Sequence, residues 1–360
     1  MRRWARVRAL CVKEMIQLVR DRATLGMMLG VPVLQVLLFG FAIQLTPRTL
    51  PVTIVANSPD TAARVARWLK NDVTGAVVQQ AASTHDAQTL LTRGETLITI
   101  EMDSNPPRVT VDGSDPVLAS HALAAIDRFT HGLANPYDGS DDFKPTVEVN
   151  TLFNPELRTQ PYLVSGLLGV ILTMTMVMMS ALSFARERER GTLEGLMALR
   201  VRPFELIVGK LAPYFLLGVA QGTALLTAAH LAFDVSIPHS RLLLATACSL
   251  FAITNLVLGF LFSTLARSQM PAMQMTFFFF LPSSLLSGFM FPFIAMPAWA
   301  RTVGELLPLT HFLRIIRGIV LRGAEASDVA GELRPMLAFC VVVTIAAALS
   351  CRLTLRRYPV

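Results

Sequence analysis

Charge is scarce in this chain. Only 16% of its 360 residues are Asp, Glu, Lys or Arg and 53% are hydrophobic, whereas roughly a quarter of the residues of a soluble domain are charged. An ordinary soluble protein is therefore excluded. Cysteine is scarce as well. Cys11, Cys248, Cys340 and Cys351 lie in or beside apolar stretches, and residues 46–160 contain none, which argues against a disulfide framework or a Cys-based zinc site. His85, His121, His131, His230, His239 and His311 are scattered without metal-ligand spacing. The Asp112 and Asp115 pair in VDGSDP is an incomplete calcium loop and reads as a turn and helix cap. No G-x-x-x-x-G-K-[ST] occurs, since Gly209-Lys210 is followed by Leu211. No cofactor, metal or ATP is expected to be bound by this chain, and it is not expected to be an enzyme. No Asp, Glu or Arg lies in the middle of a long apolar stretch; only Lys210 and Arg352 fall near an end. Ion-coupled carriers usually place such a group at depth, so the energy source is expected elsewhere.

What the chain does have is length of apolar run. Crossing a hydrocarbon core takes about 20 apolar residues, and six stretches qualify: Ala23–Leu45, Pro161–Phe184, Ile207–Phe233, Leu242–Ala266, Met270–Phe293 and Met336–Leu353. The formal charge of +7 is unevenly spread. Residues 46–160 hold 9 basic and 14 acidic residues, net −5, which leaves +12 elsewhere. The basic residues cluster in the first 22 residues, in the 185–206 loop and at Arg352, Arg356 and Arg357. Because basic loops stay on the cytoplasmic side, both termini and the 185–206 loop are expected inside and residues 46–160 outside. The positive charge thus orients the chain and is not a nucleic-acid footprint. The arginines of the last external loop fit this less well, but the other loops outweigh them. No cleavable leader is expected, because the first apolar stretch is long enough to span.

Within 1–22, Trp4, Val7, Cys11, Met15 and Leu18 recur at helical spacing among basic residues. That suits an amphipathic helix in the headgroup layer, or a plain basic anchor. Residues 23–45 would be the first span. The 46–160 region reads as an α/β domain. Its expected strands are 50–57, 76–81, 96–102, 108–113 and 146–153, its helices 58–71, 86–93 and 115–132, and 135–144 reads as a polar loop. Residues 161–360 would hold the remaining spans. Gln35, Gln221, Asn255 and Gln274 are the polar residues at depth, and either line a pathway or hydrogen-bond between helices. Between the second and third spans, Arg186, Glu187, Arg188, Glu189 and Arg190 alternate in charge and are closed by Gly191-Thr192, with Glu194 and Leu196 following. This 185–200 segment reads as a docking helix, or more plainly as a solvated turn.

Four segments resemble the membrane subunits of ABC-2 type ABC exporters. They are KEMIQLVRDRATL (13–25), LFNPELRTQPYLVSGLLG (152–169), RERERGTLEGLMALRVRPFELIVGK (186–210) and the long LLSGFMFPFIAMPAWARTVGELLPLTHFLRIIRGIVLRG (285–323). Ser165-Gly166 stands where Pro-Gly is usual in that family. The resemblance spans the chain and is weakest over 60–145. It implies an all-α six-helix transmembrane domain with an α/β extracytoplasmic domain inserted between helices 1 and 2. It also implies that Glu187, Glu189, Gly191, Thr192, Glu194 and Leu196 couple to a separate cytoplasmic ABC ATPase that binds the ATP and magnesium. The 295–323 segment, with Pro297, Pro308, Arg314 and Arg317, would form an external re-entrant gate.

The reading that follows is a multi-pass permease subunit of a bacterial inner membrane, in contact with membrane lipid. It would pair with a second permease subunit and export drugs or other amphipathic compounds, with room for a periplasmic adaptor protein and no role for nucleic acid. Two other classes stay open. An ion-coupled secondary carrier would depend on an ion gradient and need no ATPase, and a membrane-anchored sensor would use the 46–160 domain to detect a ligand.

Overall fold

The computed structural model describes residues 2–20, 50–72, 76–133, 147–191, 203–233, 235 and 240–356, apart from 267, 291, 294 and 295. The expected first span at 23–45, with Gln35, lies outside the described residues. So do the 135–144 loop and Thr192, Glu194 and Leu196.

The chain opens with helix α1 (Arg2–Arg20). A five-stranded sheet then forms from β1 (Leu50–Val55), β2 (Ala76–Gln80), β3 (Ile98–Glu101), β4 (Arg108–Asp112) and β5 (Glu148–Leu152), in the order β2-β1-β3-β4-β5. β1 runs parallel to both β2 and β3, β4 is antiparallel to β3, and β5 is parallel to β4. Helices α2 (Pro59–Asp72), α3 (Thr84–Arg93) and α4 (Pro116–Leu133) connect the strands. β1 is an inner strand with almost every side chain buried, hence its near-continuous apolar run. Val52, Ile54, Ile98, Ile100, Val109 and Val111 form the core with Ala62, Val65 and Leu69 of α2 and Ala119, Ala122 and Ile126 of α4. Ser83 caps α3 by accepting from the Asp86 amide, and Gly94 ends it at φ 72°, the left-handed conformation that costs glycine least.

Residues 153–158 lead from β5 into the helical bundle. Phe153 and Leu157 both take positive φ, an uncommon state for side-chain-bearing residues. Asn154 holds the bend: its amide nitrogen donates to the Gly113 and Arg158 carbonyls, and its oxygen accepts from the Arg158 amide. The bundle comprises α5 (Thr159–Glu189), α6 (Pro203–Phe233), α7 (Arg241–Leu265), α8 (Gln269–Leu286), the short α9 (Ala298–Gly304), α10 (Pro308–Leu321) and α11 (Ala326–Arg356). Among the described residues, four stretches are long and apolar enough to cross a membrane, namely Thr159–Glu189, Ile207–Phe233, Arg241–Leu265 and Ala326–Thr354. The expected span Met270–Phe293 ends as a helix at Leu286 and is not among these four. Conversely, α11 begins well before the expected Met336 and takes Glu332 and Arg334 into its first turns.

α5 is the centre of the bundle, packed against α6, α7, α8 and α10. Gly259 of α7 lies so close to the Val177 carbonyl of α5 that a Cβ has no room, the close backbone approach that small residues permit between membrane helices. α10 is too short to cross a membrane and is buried on most sides among α5, α7 and α11. Its Phe312 stacks on Phe251 at 4.0 Å between ring centroids. The bundle therefore has two ends: a domain end beside the sheet, holding α9 and α10, and a far end where α5 stops and α6 begins.

Candidate coupling site

Successive residues on a helix point about 100° apart. Three in a row at the end of a central helix therefore face three different neighbours, and this is what residues 187–189 do. Glu187 is buried, with one carboxylate oxygen 2.9 Å from Lys210 Nζ of α6 and the other 2.9 Å from Lys13 Nζ of α1. Lys210 is fully buried, with its ammonium 5.8 Å from the Phe184 ring centroid. A buried ammonium is costly without a paired anion, so Glu187 and Lys210 depend on each other. Arg188 donates to the carbonyls of Ala266 (2.9 Å) and Thr264 (3.5 Å) at the end of α7, where a cation complements exposed carbonyls. Glu189 accepts from the Gln269 amide (3.0 Å) and side chain (2.9 Å) at the start of α8, where an anion complements free N–H groups.

The charge run is thus the last turn of α5 itself, continuous with the membrane helix, and Gly191 follows at φ 69°. Glu187, expected on a docking surface, points inward. Glu189 is exposed but tied to α8, and Gly191 is exposed. The signal for the Glu187 cluster was present in the sequence as a lysine inside the apolar start of α6, beside a helix whose last turn carries two acids, Glu187 and Glu189.

The domain end carries the second polar cluster. Pro308 occupies the first position of α10, where its missing N–H costs nothing, and Pro297 immediately precedes α9. Arg314 lies 2.6 Å from Glu305 and 3.1 Å from Glu332, with its guanidinium 4.6 Å from the Phe293 ring. His311 Nδ1 meets Glu332 at 2.6 Å, and its Nε2 meets the Glu305 carbonyl at 2.9 Å. Burial opposes charge on this imidazole, but the bonds to Glu332 and to the Glu305 carbonyl outweigh it and raise the His311 pKa. Arg317 lies over the Tyr162 ring at 3.9 Å and donates to the Gly288 carbonyl at 3.1 Å. Its Nε and Nη2 are buried without a hydrogen-bond partner. Arg322, just past α10, pairs with Asp112 of β4 at 3.0 Å. Asp112 also accepts from the Ser114 amide, and Asp115 caps α4. The VDGSDP turn therefore serves as a cap, as expected, and also fastens the sheet to α10. No sequence signal pairs residues 112 and 322.

Of the polar residues expected at depth, Gln221 accepts from Thr175 of α5 at 2.8 Å, an interhelical bond. Asn255 is fully buried and donates to Phe251 of its own helix, leaving its side-chain oxygen unpartnered. Gln274 is exposed on α8, beside the exposed Phe277 and Phe278. Gln221 and Asn255 are thus buried within the bundle, whereas Gln274 is on its surface.

A family model described as ABC-2 family transporter protein matches residues 22–349. The "Probable multidrug ABC transporter permease YbhS" of Escherichia coli is 31% identical over 342 residues, covering 89% of each chain. The "Probable multidrug ABC transporter permease YbhR" of the same organism is 25% identical over 362 residues, covering 96% of this chain and 97% of its own. The "Linearmycin resistance permease protein LnrN" of Bacillus subtilis is 25% identical over 183 residues, half of this chain.

Proposed function

The chain belongs to the ABC-2 family of transporters, and on that premise we propose that it is a permease subunit that exports amphipathic compounds when a separate ABC ATPase acts on the far end of its bundle. The observation that carries this reading is the fan of Glu187, Arg188 and Glu189. One turn of α5 holds α1, α6, α7 and α8 together, so a force applied beside Gly191 reaches four other helices at once. The multidrug wording in the names of the two Escherichia coli relatives supports the substrate class. In this reading the far end and both termini lie on the cytoplasmic side of the bacterial inner membrane, and the sheet lies outside. Residues 23–45 and α8 complete six spans. A polar group facing lipid is costly, so the exposed Gln274 favours α8 as the face turned to a second permease subunit and the substrate path. Thr192, Glu194 and Leu196 continue the ATPase contact, α9 and α10 form the outer gate with Pro297, Pro308, Arg314 and Arg317, and a periplasmic adaptor is accommodated by the sheet.

The test uses inverted vesicles carrying the permease together with an ABC ATPase that co-purifies with it. Uptake of a fluorescent amphipathic cation should require ATP hydrolysis and persist when ion gradients are collapsed. A cysteine at Arg190 should cross-link to the ATPase. Uptake that follows an ion gradient without ATP would overturn the proposal in favour of a secondary carrier.

A further inference from the structure

Two cavities meet at the domain end of α6 and α7. The larger, about 1070 Å³, lies between the 153–158 bend and the turn after α10 and holds Glu156, Arg158, Arg322 and Glu325 on its walls. The smaller, about 370 Å³, is an apolar slot between α6 and α7, lined by Gly218, Gly222, Leu226, Leu244, Cys248 and Ala252 among others. Val235 and Val320 line both, and the neighbours Ser240 and Arg241 belong to the larger and the smaller respectively. The slot exists because glycines stand where α6 would otherwise carry side chains: a Cβ at Gly222 would meet only Leu168, at 4.0 Å.

The two compartments differ as the two parts of an amphiphile differ. The slot lies along helices that cross the membrane, and the chamber above it mixes apolar walls with four charged side chains. The slot's volume falls within the roughly 300–1,000 Å³ typical of ligand sites. The charges are also ordered. Arg158 is taken up by Glu156 at 2.6 Å and Arg322 by Asp112 at 3.0 Å. Arg241, on the slot, makes no ion pair among the described residues, and neither does the Glu325 carboxylate in the outer chamber. A cation next to the apolar slot and an anion farther out match a head whose phosphate adjoins the acyl chain and whose ammonium lies beyond it. A basic side chain in a pocket between membrane helices attracts a lipid phosphate. We infer that the two cavities form one binding site for a phospholipid with a phosphoethanolamine head. One acyl chain lies in the slot, the phosphate on Arg241 and the ammonium at Glu325. The lipid comes from the leaflet on the side of the sheet. The site holds a resident of the bilayer and does not require transport.

The experiment uses the full chain alone, without ATPase or ATP, in phosphatidylcholine bilayers containing a trace of phosphatidylethanolamine with a diazirine on one acyl chain. A second arm uses the matching phosphatidylglycerol probe. After illumination, adducts are mapped by peptide mass spectrometry. The expected result is labelling of 218–226 and 244–252 by the phosphatidylethanolamine probe, reduced about tenfold in Gly222→Leu, which fills the slot. Labelling of the exposed Val341, Val342, Ile345 and Leu349 of α11 should stay unchanged, reporting a folded and inserted chain. Arg241→Gln and Glu325→Gln change exposed side chains and keep the test available should the packed variant fail to fold. Glu325→Gln should bring slot labelling by the two probes closer together, whereas Arg241→Gln, which removes the partner of the phosphate common to both, should lower labelling by both. Slot labelling that survives Gly222→Leu, or an unlabelled slot beside a labelled α11, overturns the site. Equal labelling by both probes in the unaltered protein overturns the head-group assignment.

Discussion

The Glu187 carboxylate stands 2.9 Å from Lys210 and 2.9 Å from Lys13, joining one fully buried ammonium and one that is 41% exposed. The two lysines should therefore be unequal. Glu187→Ala removes a carboxylate from beside the buried Lys210 and is expected to cost about 3–5 kcal/mol, whereas Lys13→Ala should cost about 1 kcal/mol or less. Thermal unfolding in detergent measures both. The double variant Glu187→Leu, Lys210→Met should recover most of the loss. Equal losses for Glu187→Ala and Lys13→Ala would remove the argument from burial.

Asp112 and Arg322 hold the sheet against the end of α10, and the same guanidinium packs closely on Gly94 at the end of α3. Asp112→Asn keeps the side-chain shape but removes the charge, and should loosen both partners together. Hydrogen–deuterium exchange should rise in 108–120 and in 316–325, with the far end unchanged. Faster exchange in the sheet alone would show that the pair does not couple the two parts.

The inner strands of the sheet were legible because they are short runs rich in β-branched residues bounded by Pro, Gly or Asn. LPVTIV and RVTVD form strands within two residues of where the pattern puts them. The long helices were legible for the same reason, from apolar length. What the sequence hid was direction. The RERER run looks like a solvated surface in one dimension, yet the turn of a helix sends Glu187 inward, Arg188 to α7 and Glu189 to α8. Likewise, α10 is apolar enough to be buried but too short to span, and periodicity alone does not say that its Phe312 stacks on Phe251. The Asp112–Arg322 pair depends on tertiary placement entirely.

Both ring nitrogens of His311 face acceptors, the Glu332 carboxylate and the Glu305 carbonyl, so the doubly protonated imidazole fits best. Its pKa is raised above the ordinary value near 6.5. A raised folded pKa gives stability that is complete below the ordinary value and is lost as pH rises through the folded one. The melting difference between the unaltered protein and His311→Gln should thus be largest near pH 6 and shrink toward pH 9. A difference that grows with pH would contradict the assignment.

Gly113 sits where a Cβ would lie 2.7 Å from both the Asn154 carbonyl oxygen and Thr151 Cγ2. Gly113→Ala should therefore push the 153–158 bend away from β4 and break the Asn154 bond to the Gly113 carbonyl. Increased proteolytic cleavage between 150 and 158, with the bundle intact, is the expected outcome. Wild-type resistance to protease would show that the bend gives way without consequence.

α6, α8 and α11 each carry an internal proline, at Pro213, Pro282 and Pro335, where a helix can bend. None interrupts the interior of α5, whose 31 residues make a shaft of roughly 46 Å at 1.5 Å per residue. It is clamped at one end by the Asn154 bend and at the other by the fan of Glu187, Arg188 and Glu189. With no joint between the clamps, a displacement imposed at Glu189 has nowhere to dissipate along the shaft. It arrives at Thr159 as a translation or a roll, so the sheet and the far end of the bundle cannot reposition independently.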